Sequence, residues 1–512
     1  MMNAVAMLAN EAKRHPDRVQ LVDGDARITL GQLWQRVSEL SNALQEAGVR
    51  SGDRVAIIGA NSPQWVQVYL GVLASGAVAV PLNPELRAQN IAELIRHSGA
   101  RFAFADVNAK LSNALLVELP EVVWLVKQEC FSEHCIALSA LPLESSLDVS
   151  GIATDLACIL YTSGTTGAPK GVMLGHDGLL QNALDVSEYL QLSPNDTSLA
   201  ILPFYYSFGN SVLMTHLLSG SRLVFGASLM YPERMLTLVE QEKVTGLSGV
   251  PSLFTLLLQR DLLSDSRWQS LRYVAQAGGA LATTVAENIR RLLVGRQVFV
   301  MYGQTEATAR ITYLPPEYQV ERSGSVGWPL PDTAIQIRDE KGNTLAAGEV
   351  GYVWVRGPGV MQGYWRNEKA TAATLVDGWL NTGDMGELDA RGFLYIRGRR
   401  SDMLKVSGQR LHPQEVEEVI AELPQVAECA VDGVEDAVLG QVPRAFVVLK
   451  TGQTLSDMEL MKHCRAQLAG WKVPRTIEVI AALPKTGSGK IQRHLLSEVL
   501  SCEKEKLKEG HA

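Results

Sequence analysis

Cysteine is scarce in this sequence, and its arrangement indicates no disulfide framework. Six cysteines occur in 512 residues, and no two of them form a CxxC pair. Cys130, His134 and Cys135 lie close together, but no second pair of ligands follows at a spacing suited to zinc. We therefore expect reduced thiols in a cytoplasmic protein, without a zinc site.

The chain also lacks a basic patch and a long uninterrupted apolar run. Its 47 basic and 55 acidic residues give a formal charge of -8 at pH 7, so nucleic-acid binding has no electrostatic footprint. Charged residues such as Glu11 and Lys13 come early, and no signal-peptide pattern is present. The most hydrophobic stretch, Leu199 to Phe225, is interrupted by Pro203 and Arg222. We expect a buried core segment there and no membrane span.

The length of the chain predicts at least two domains, because a single hydrophobic core stops growing at roughly 250 to 300 residues. Strand and helix patterns alternate up to about residue 300, which predicts an α/β fold of mixed, largely parallel sheets flanked by helices. We assign the large domain to 1–399, with a β-rich subdomain at about 332–398. Patterns in 403–512 predict a small α+β C-terminal domain.

Several helices are predicted, among them one near the N-terminus and one in the C-terminal part. Apolar residues recur at helical spacing from Leu30 to Leu44, after a possible cap at Thr29 and before Gly48. In the C-terminal part, the segment Pro413–Ala421 shows a second helical pattern. We expect the first of these helices to lie on a sheet.

The strongest single motif is YTSGTTGAPKG, Tyr161–Gly171, which follows the predicted strand Leu156–Leu160. Glycines let backbone N–H groups approach a polyanion, hydroxyls donate further hydrogen bonds, and a lysine supplies positive charge. The glycine spacing differs from the Walker pattern, which disfavours P-loop kinases and motor ATPases. The predicted phosphate ligands are Thr162, Ser163, Thr165, Thr166 and Lys170, with Gly164 and Gly167 in the same loop.

This motif resembles the signature of the adenylate-forming superfamily, which includes acyl-CoA synthetases, peptide-synthetase adenylation domains and firefly luciferase. Further motifs follow in the family's order and extend the resemblance over essentially the whole chain. One of them alone would be weak, but their joint order is specific. They are AGGA at Ala277–Ala280, MYGQTEAT at Met301–Thr308, GYW at Gly363–Trp365, GWLNTGD at Gly378–Asp384, GRRSDMLKVSG at Gly398–Gly408 and PKTGSGK at Pro484–Lys490.

The resemblance implies an ATP site in the large domain. Tyr302 is expected to stack on the adenine, and Asp384 to accept hydrogen bonds from both ribose hydroxyls, for which an ionised acceptor is well suited. Arg399 is expected to help hold the same sugar. The other nucleotide-binding positions that the resemblance implies are Gly278, Gly279, Ala280, Gly303 and Thr305.

The resemblance also implies the metal ligands and the catalytic lysine. Glu306, helped by Thr165, is expected to hold Mg²⁺ near the phosphates, because a carboxylate suits a hard cation. Lys490 matches the lysine of the adenylation step. An ammonium group stabilises the negative charge that grows on the phosphoryl oxygens when a carboxylate attacks the α-phosphorus.

Members of this superfamily carry out two half-reactions by rotating a small, mobile C-terminal domain. Asp402 matches the hinge position, at 400–402, and Ser401 stands where the family commonly has lysine. In the second half-reaction Lys405 is expected to approach the adenylate. The tunnel for the incoming thiol is expected to be lined by Lys405, Ser407 and Gly408.

The segment LPFYYSFGN, 202–210, resembles the acyl-pocket region of the family, with Tyr206 where many CoA ligases have histidine. An α-amino acid would need a buried carboxylate to pair with its ammonium group, and no Asp or Glu occurs between Ile201 and Gly220. We therefore expect a hydrophobic acid. The predicted acyl-pocket residues are Tyr206, Phe208, Gly209, Val250 and Gly278.

These inferences indicate a ligase that activates a hydrophobic carboxylic acid as acyl-AMP, releases pyrophosphate and forms a thioester with CoA. A ligase that loads the phosphopantetheine arm of a carrier protein is the first alternative, and a luciferase-like oxygenase is another. A catalytically silent adenylate-binding protein is a third, against which the presence of Lys490, Glu306 and Asp384 argues. Whether the chain forms a homodimer is left open.

Overall fold

The structure is a computed structural model that describes residues 3–126, 135–137, 156–162, 169–228, 230–406, 409–436, 440–485 and 491–499. Helices and strands alternate through these ranges, so the predicted α/β class is confirmed. The α-helices of the described residues are α1 (Ala4–Arg14), α2 (Leu30–Glu46), α3 (Pro63–Ala74), α4 (Ala88–Ser98), α5 (Ala109–Glu118), α6 (His176–Tyr189), α7 (Ser207–Ser219), α8 (Pro232–Gln241), α9 (Pro251–Gln259), α10 (Thr283–Leu292), α11 (Glu368–Thr374), α12 (Pro413–Ala421) and α13 (Asp457–Gln467).

The strands of the described residues form four sheets. In chain order they are β1 (Val19–Asp23), β2 (Ala26–Thr29), β3 (Arg54–Gly59), β4 (Val78–Leu82), β5 (Phe102–Asp106), β6 (Val123–Val126), β7 (Cys135–Ala137), β8 (Leu156–Thr162), β9 (Lys170–Gly175), β10 (Thr197–Leu199), β11 (Arg222–Val224), β12 (Gly246–Gly249), β13 (Tyr273–Gln276), β14 (Gln297–Tyr302), β15 (Thr312–Leu314), β16 (Trp328–Pro329), β17 (Ala334–Arg338), β18 (Gly351–Arg356), β19 (Gly363–Tyr364), β20 (Leu375–Val376), β21 (Trp379–Leu388), β22 (Leu394–Arg399), β23 (Leu404–Val406), β24 (Gln409–Leu411), β25 (Val426–Asp436), β26 (Gly440–Leu449) and β27 (Thr476–Val479).

A nine-stranded sheet carries much of the predicted site. Its order is β16-β15-β14-β13-β12-β10-β11-β1-β2, and the strands from β14 to β1 pair in parallel. Parallel strands end along one edge, and open α/β sheets bind ligands beyond that edge. The residues that follow β12, β13 and β14 include three predicted site residues, Val250, Gly278 and Gly303.

An eight-stranded sheet carries the predicted phosphate loop. Its order is β19-β9-β8-β4-β3-β5-β6-β7, and β9 runs antiparallel to both β8 and β19. Thr162 and Lys170 face each other across the β8–β9 pair, and Gly363 and Tyr364 of the GYW motif form β19. The first residues of the GYW motif therefore lie beside the base of the phosphate loop.

Helix α3 lies between these two sheets, since it contacts β3 and β4 of one and β1 of the other. Ten of its twelve residues are buried, which accounts for its hydrophobicity on all sides. Ser62 caps it by accepting from the Trp65 N–H, and Pro63 takes the first helical position. Among the described residues, no helix combines the length and apolarity needed to cross a bilayer.

The helix predicted between Thr29 and Gly48 is confirmed as α2. Thr29 and Gln32 form a capping box, in which each side chain bonds the other residue's backbone N–H. The helix ends at Glu46, and Gly48 has a φ of +91°, a conformation that glycine adopts readily. Its apolar face packs on α3. Local capping and periodicity therefore determine this helix.

Two further sheets follow along the chain. One is antiparallel, with the order β17-β18-β21-β20 and β22 paired with β21. The other has the order β24-β23-β26-β25, with β27 parallel to β26. Helix α12 has the predicted bounds Pro413–Ala421 and packs through Val416 and Ile420 into the core of this last sheet.

Gly246 of β12 lies against Tyr273 of the neighbouring β13, and a Cβ atom added at Gly246 would overlap the Tyr273 ring, which is fully buried. We expect Gly246→Ala to lower the free energy of unfolding by about 1 to 3 kcal/mol, because the core is overpacked. Urea unfolding followed by tryptophan fluorescence measures the change. Gly470→Ala is the control, since a Cβ atom there meets no atom within 4 Å. Identical midpoints for both variants would contradict the prediction.

Candidate active site

The carboxylate of Asp384 links the antiparallel sheet of β17, β18 and β20–β22 to the nine-stranded sheet. Antiparallel pairing of β21 with β22 puts Asp384 opposite Arg399, and Arg399 Nε donates to Asp384 Oδ1 at 3.1 Å. Tyr302, the last residue of β14, donates its hydroxyl to Asp384 Oδ2 at 2.6 Å. The structure thus brings three predicted nucleotide-binding residues together. An ionised carboxylate has about four acceptor sites, and these two hydrogen bonds use two of them.

Burial alters the ionisation of two groups in this cluster. The pKa of the Tyr302 phenol is raised well above its usual value, first by burial and then by the Asp384 charge. Burial by itself lowers the pKa of Arg399. The nearby Asp384 and Tyr302 raise it by more, so the pKa of Arg399 is raised overall. At neutral pH Tyr302 is therefore a neutral donor and Arg399 a cation. A sequence motif can name these residues, but it does not show that the phenol of Tyr302 bonds to Asp384.

Glu306 stands in a short 3-10 helix, Thr305–Ala307, directly after β14. Tyr364 donates its hydroxyl to Glu306 Oε1 at 2.9 Å, and Lys170 Nζ lies 5.0 Å from the centre of the Tyr364 ring. Burial, followed by the Glu306 charge, raises the pKa of Tyr364, so its phenol remains a donor at neutral pH. Tyr364 belongs to the GYW motif, but the motif alone does not indicate this contact with Glu306.

The side chains around Glu306 are chemically suited to binding a hard cation. Mg²⁺ prefers oxygen ligands and is commonly held by one or two carboxylates together with phosphate oxygens. Glu306 supplies such a carboxylate, next to Thr305, whose Oγ1 lies 2.9 Å from Ser207 Oγ. The described residues contain no cluster of three or more His, Cys, Asp or Glu side chains that could hold a metal by themselves. Cys130 and His134, weighed above as zinc ligands, lie outside the described residues.

The base of the predicted phosphate loop is held by residues outside the loop motif. Tyr161 OH lies 2.7 Å from His97 Nδ1, and Trp365 Nε1 donates to the His97 carbonyl at 3.1 Å. His97 stands on α4, and nothing in its sequence context indicated this contact. Of the predicted phosphate ligands, Thr162 and Lys170 are described as a facing pair. Five other positions of the loop, Ser163, Gly164, Thr165, Thr166 and Gly167, lie outside the described residues.

Three predicted acyl-pocket residues are neighbours. Gly278 has a φ of +87°, and a Cβ atom there would lie 3.2 Å from Val250 Cγ1 and 3.9 Å from Phe208 Cδ1. A glycine is therefore favoured at this position both by backbone conformation and by space. The loop continues through Gly279 and Ala280, which are exposed.

The other two predicted acyl-pocket residues stand at the start of α7. Tyr206 is the residue before the helix, and its hydroxyl lies 3.5 Å from Asn83 Nδ2. Burial raises the pKa of Tyr206. A Cβ atom on Gly209 would overlap the Pro203 carbonyl, so backbone packing alone accounts for this glycine. Asn61, which the sequence did not single out, fixes the preceding loop by donating to the carbonyls at 200 and 202.

The turn after Glu306 is strained and tightly packed. Thr308 and Ala309 have φ values of +53° and +73°, a region that non-glycine residues seldom occupy. Thr308 Oγ1 donates to the Gly359 carbonyl at 2.6 Å, and a Cβ atom on Gly303 would overlap the Ala309 carbonyl. Backbone strain of this kind persists where the surroundings enforce it, and it clusters at functional sites.

The residues predicted for the second half-reaction follow β22. Asp402 Oδ2 lies 3.5 Å from Arg493 Nε. Lys405 is exposed on β23. Three further predicted residues, Ser407, Gly408 and Lys490, lie outside the described residues.

Comparison with known proteins gives matches along the chain. The family model for the AMP-binding enzyme matches residues 8–365, and that for the AMP-binding enzyme C-terminal domain matches residues 415–490. The feruloyl-CoA synthase of an Amycolatopsis species is 33% identical over an alignment of 488 residues that covers 94% of this chain and 95% of that protein.

Two solved structures share the fold over nearly their whole length. The o-succinylbenzoate CoA synthetase of Bacillus subtilis, in complex with its acyl-adenylate intermediate, has a TM-score of 0.81 and 30% identity, and covers 96% of this chain and 97% of that chain. The anthranilate CoA ligase AuaEII, in complex with anthranoyl-AMP, has a TM-score of 0.88 and 29% identity, with 97% of each chain covered. This chain is thus similar to enzymes whose structures contain acyl-adenylates.

Tyr364→Phe removes the hydroxyl that holds Glu306. Because hydrogen bonds to charged groups are strong, we expect the Mg²⁺ concentration for half-maximal acid-dependent pyrophosphate release to rise roughly tenfold. The half-saturating acid concentration should stay the same. Tyr352→Phe is the control, since Tyr352 OH lies 3.5 Å from Glu340, a surface carboxylate. An unchanged Mg²⁺ requirement in Tyr364→Phe would show that the hydroxyl does not position Glu306.

Proposed function

Because this chain belongs to the AMP-binding enzyme family, as its motifs predicted, we propose that it is an ATP-dependent acid–CoA ligase. It activates a carboxylic acid as an acyl-adenylate and passes the acyl group to CoA. The observation that carries the proposal is the hydrogen-bonded group of Tyr302, Asp384 and Arg399. The relatives named above are CoA ligases or synthases, which supports CoA rather than a carrier protein as the acceptor.

In the first half-reaction a carboxylate oxygen of the acid attacks the α-phosphorus of ATP. A P–O bond forms, the bond to the β-phosphate breaks, and pyrophosphate leaves. Tyr302 positions the adenine, while Asp384 and Arg399 position the ribose. Tyr302 and Arg399 both donate to Asp384, which fixes the relative positions of the three side chains.

The charge of the triphosphate is met by several groups. Lys170, at the base of the phosphate loop, and the hydroxyls of Thr165 and Thr166 contact the phosphates. Glu306, with Thr165, would hold Mg²⁺, which would neutralise phosphate charge. The Bacillus subtilis synthetase has been solved with ATP and a magnesium ion, which supports this assignment. Lys490 stabilises the charge that develops at the α-phosphate.

In the second half-reaction the CoA thiolate attacks the acyl carbonyl carbon, a thioester forms, and AMP leaves. Rotation about Asp402 brings Lys405, Ser407 and Gly408 to the adenylate, where they line the path of the pantetheine arm. Arg399 is directly followed by the 3-10 helix Arg400–Asp402, so the ribose clamp and the hinge are consecutive in the chain.

The acid has an apolar body. Phe208, Val250 and the bare backbone of Gly278 lie together, and Tyr206 stands at the start of α7 with its hydroxyl near Asn83. No carboxylate is available from α7 to pair with an ammonium group. These features support a hydrophobic acid rather than an amino acid.

The test is pyrophosphate release from Mg-ATP over a panel of aliphatic, aromatic and amino acids, followed by mass spectrometry of the products with CoA. We expect release with apolar acids and an acyl-CoA product. Activation of an acid without any acyl-CoA would reject CoA as the acceptor and favour a carrier protein. If no acid in the panel releases pyrophosphate or AMP, the chain is not an adenylate-forming ligase.

Lys490→Ala is expected to lower adenylate formation by at least roughly a hundredfold, the usual effect of removing one charge-stabilising group. Thioester formation from supplied acyl-adenylate should remain. Lys405→Ala should have the opposite effect, with pyrophosphate exchange retained and transfer to CoA slowed. Lys462→Ala, an exposed lysine of α13, is the control. Equal loss of both steps in Lys490→Ala would reject the proposed division between the two lysines.

A further inference from the structure

Arg310 is a buried arginine at the end of the strained turn that follows Glu306. Only 2% of the residue is exposed, and it is among the largest fully buried side chains of the described residues. Its guanidinium carbon lies 5.0 Å from the centre of the Phe208 ring. A buried cation is expensive unless a negative group or several acceptors face it.

Both hydrogen-bond partners of the Arg310 guanidinium are on helix α7 and face Nη1. Nη1 donates to Ser211 Oγ at 2.9 Å and lies 3.4 Å from Thr215 Oγ1. Nε and Nη2 are buried and have no hydrogen-bond partner. No carboxylate of the described residues lies within ion-pair distance. Nε and Nη2 form one edge of the planar guanidinium, and this edge binds a carboxylate through two parallel hydrogen bonds.

Nearby polar side chains are already engaged with other groups. Tyr189 donates its hydroxyl to Met301 Sδ at 2.8 Å. Tyr273 OH lies 3.1 Å from His216 Nε2, and burial lowers the pKa of His216 to about 4, so this ring is neutral at pH 7. Burial also lowers the pKa of Arg310, but arginine remains protonated near neutrality. Tyr189, Tyr273 and His216 are uncharged at pH 7, so none of these three side chains balances the charge of Arg310.

A cavity of about 10 Å³ adjoins Arg310, and Asn182 and Asp185 also line it. This cavity is large enough for one water molecule but not for an organic anion. The ring of Phe208 lies against the Arg310 guanidinium and is close to Gly278. Phe208 therefore connects Arg310 with the predicted acyl pocket.

Positions along helix α7 indicate how far Arg310 lies from the part of the site beside Glu306, where the acid would be activated. Ser207 Oγ contacts Thr305 Oγ1, beside Glu306, whereas Arg310 bonds Ser211 and lies near Thr215. These three α7 residues are four apart and share a face of the helix. At 1.5 Å per residue, Ser211 and Thr215 are about 6 and 12 Å farther along the axis than Ser207.

We infer that the acid carries a second carboxylate, remote from the one that is activated, and that Arg310 binds it at the inner end of the acyl pocket. This inference rests on the proposed function and narrows its substrate to dicarboxylic acids with an apolar middle. Phe208 and Val250 contact the apolar part, and the two carboxylates are roughly 6 to 12 Å apart.

The experiment compares straight-chain dicarboxylic acids, from hexanedioate to dodecanedioate, with monocarboxylic acids of equal length, by acid-dependent pyrophosphate release. We expect the unaltered chain to prefer a dicarboxylate by roughly tenfold or more in kcat/KM, as for a charged hydrogen-bonded pair. The monomethyl ester of the preferred dicarboxylate should lose this advantage, because it has the same carbon chain but no distal charge.

Arg310→Met keeps an apolar side chain of similar length and removes the charge. We expect its kcat/KM for the dicarboxylate to fall at least roughly tenfold, while kcat/KM for the monocarboxylate is kept or raised and KM for ATP stays the same. Arg310→Lys keeps a positive charge but cannot form two parallel hydrogen bonds to a carboxylate. Its kcat/KM for the dicarboxylate should lie between those of the unaltered chain and Arg310→Met.

The outcomes separate this inference from the proposed function. If the unaltered chain prefers monocarboxylates, or uses diacid and half-ester equally, Arg310 does not bind the acid, although the chain remains a ligase. Parallel loss with both acids in Arg310→Met would show a purely structural role. If Arg310→Met does not fold, the half-ester comparison on the unaltered chain still decides the question. Absence of pyrophosphate release with every acid would instead contradict the proposed function.

Discussion

The hydrogen bonds to the buried Asp384 carboxylate are the constraint on which the rest of the site depends. Asp384 belongs to β21 of the antiparallel sheet of β17, β18 and β20–β22, Tyr302 ends a strand of the nine-stranded sheet, and Arg399 immediately precedes the proposed hinge. Loss of one partner would leave a buried group unpaired, which costs more than the bond itself contributes. These bonds therefore hold the two sheets and the start of the hinge in one geometry.

The segment Gly363–Trp365 makes a second connection, between the two large sheets. As β19 it pairs with β9 of the eight-stranded sheet, while Tyr364 bonds Glu306 beyond the end of β14 in the nine-stranded sheet. Trp365 holds His97, which in turn contacts the base of the phosphate loop. The proposed metal ligand and the proposed phosphate loop are thus positioned by the same short segment.

Much of the fold was predictable, because helix caps and periodicity are local properties: Thr29 begins α2, and α12 has its predicted bounds. The motifs also named Tyr302, Asp384 and Arg399, which the structure brings together. The part played by His97 could not be predicted, because its partners Tyr161 and Trp365 are 64 and 268 residues away. Arg310 was missed for a related reason, since an arginine is usually exposed and its burial depends on distant packing.

The strained turn between Glu306 and Arg310 has a consequence for how this protein can vary. Its path is determined by the contact between Gly303 and the Ala309 carbonyl and by the bond from Thr308 to Gly359. The turn thereby keeps the carboxylate of Glu306 and the guanidinium of Arg310 at a constant separation. Insertions or deletions in the turn would displace both charged groups at once, whereas exchange of the side chain at position 310 would leave Glu306 in place.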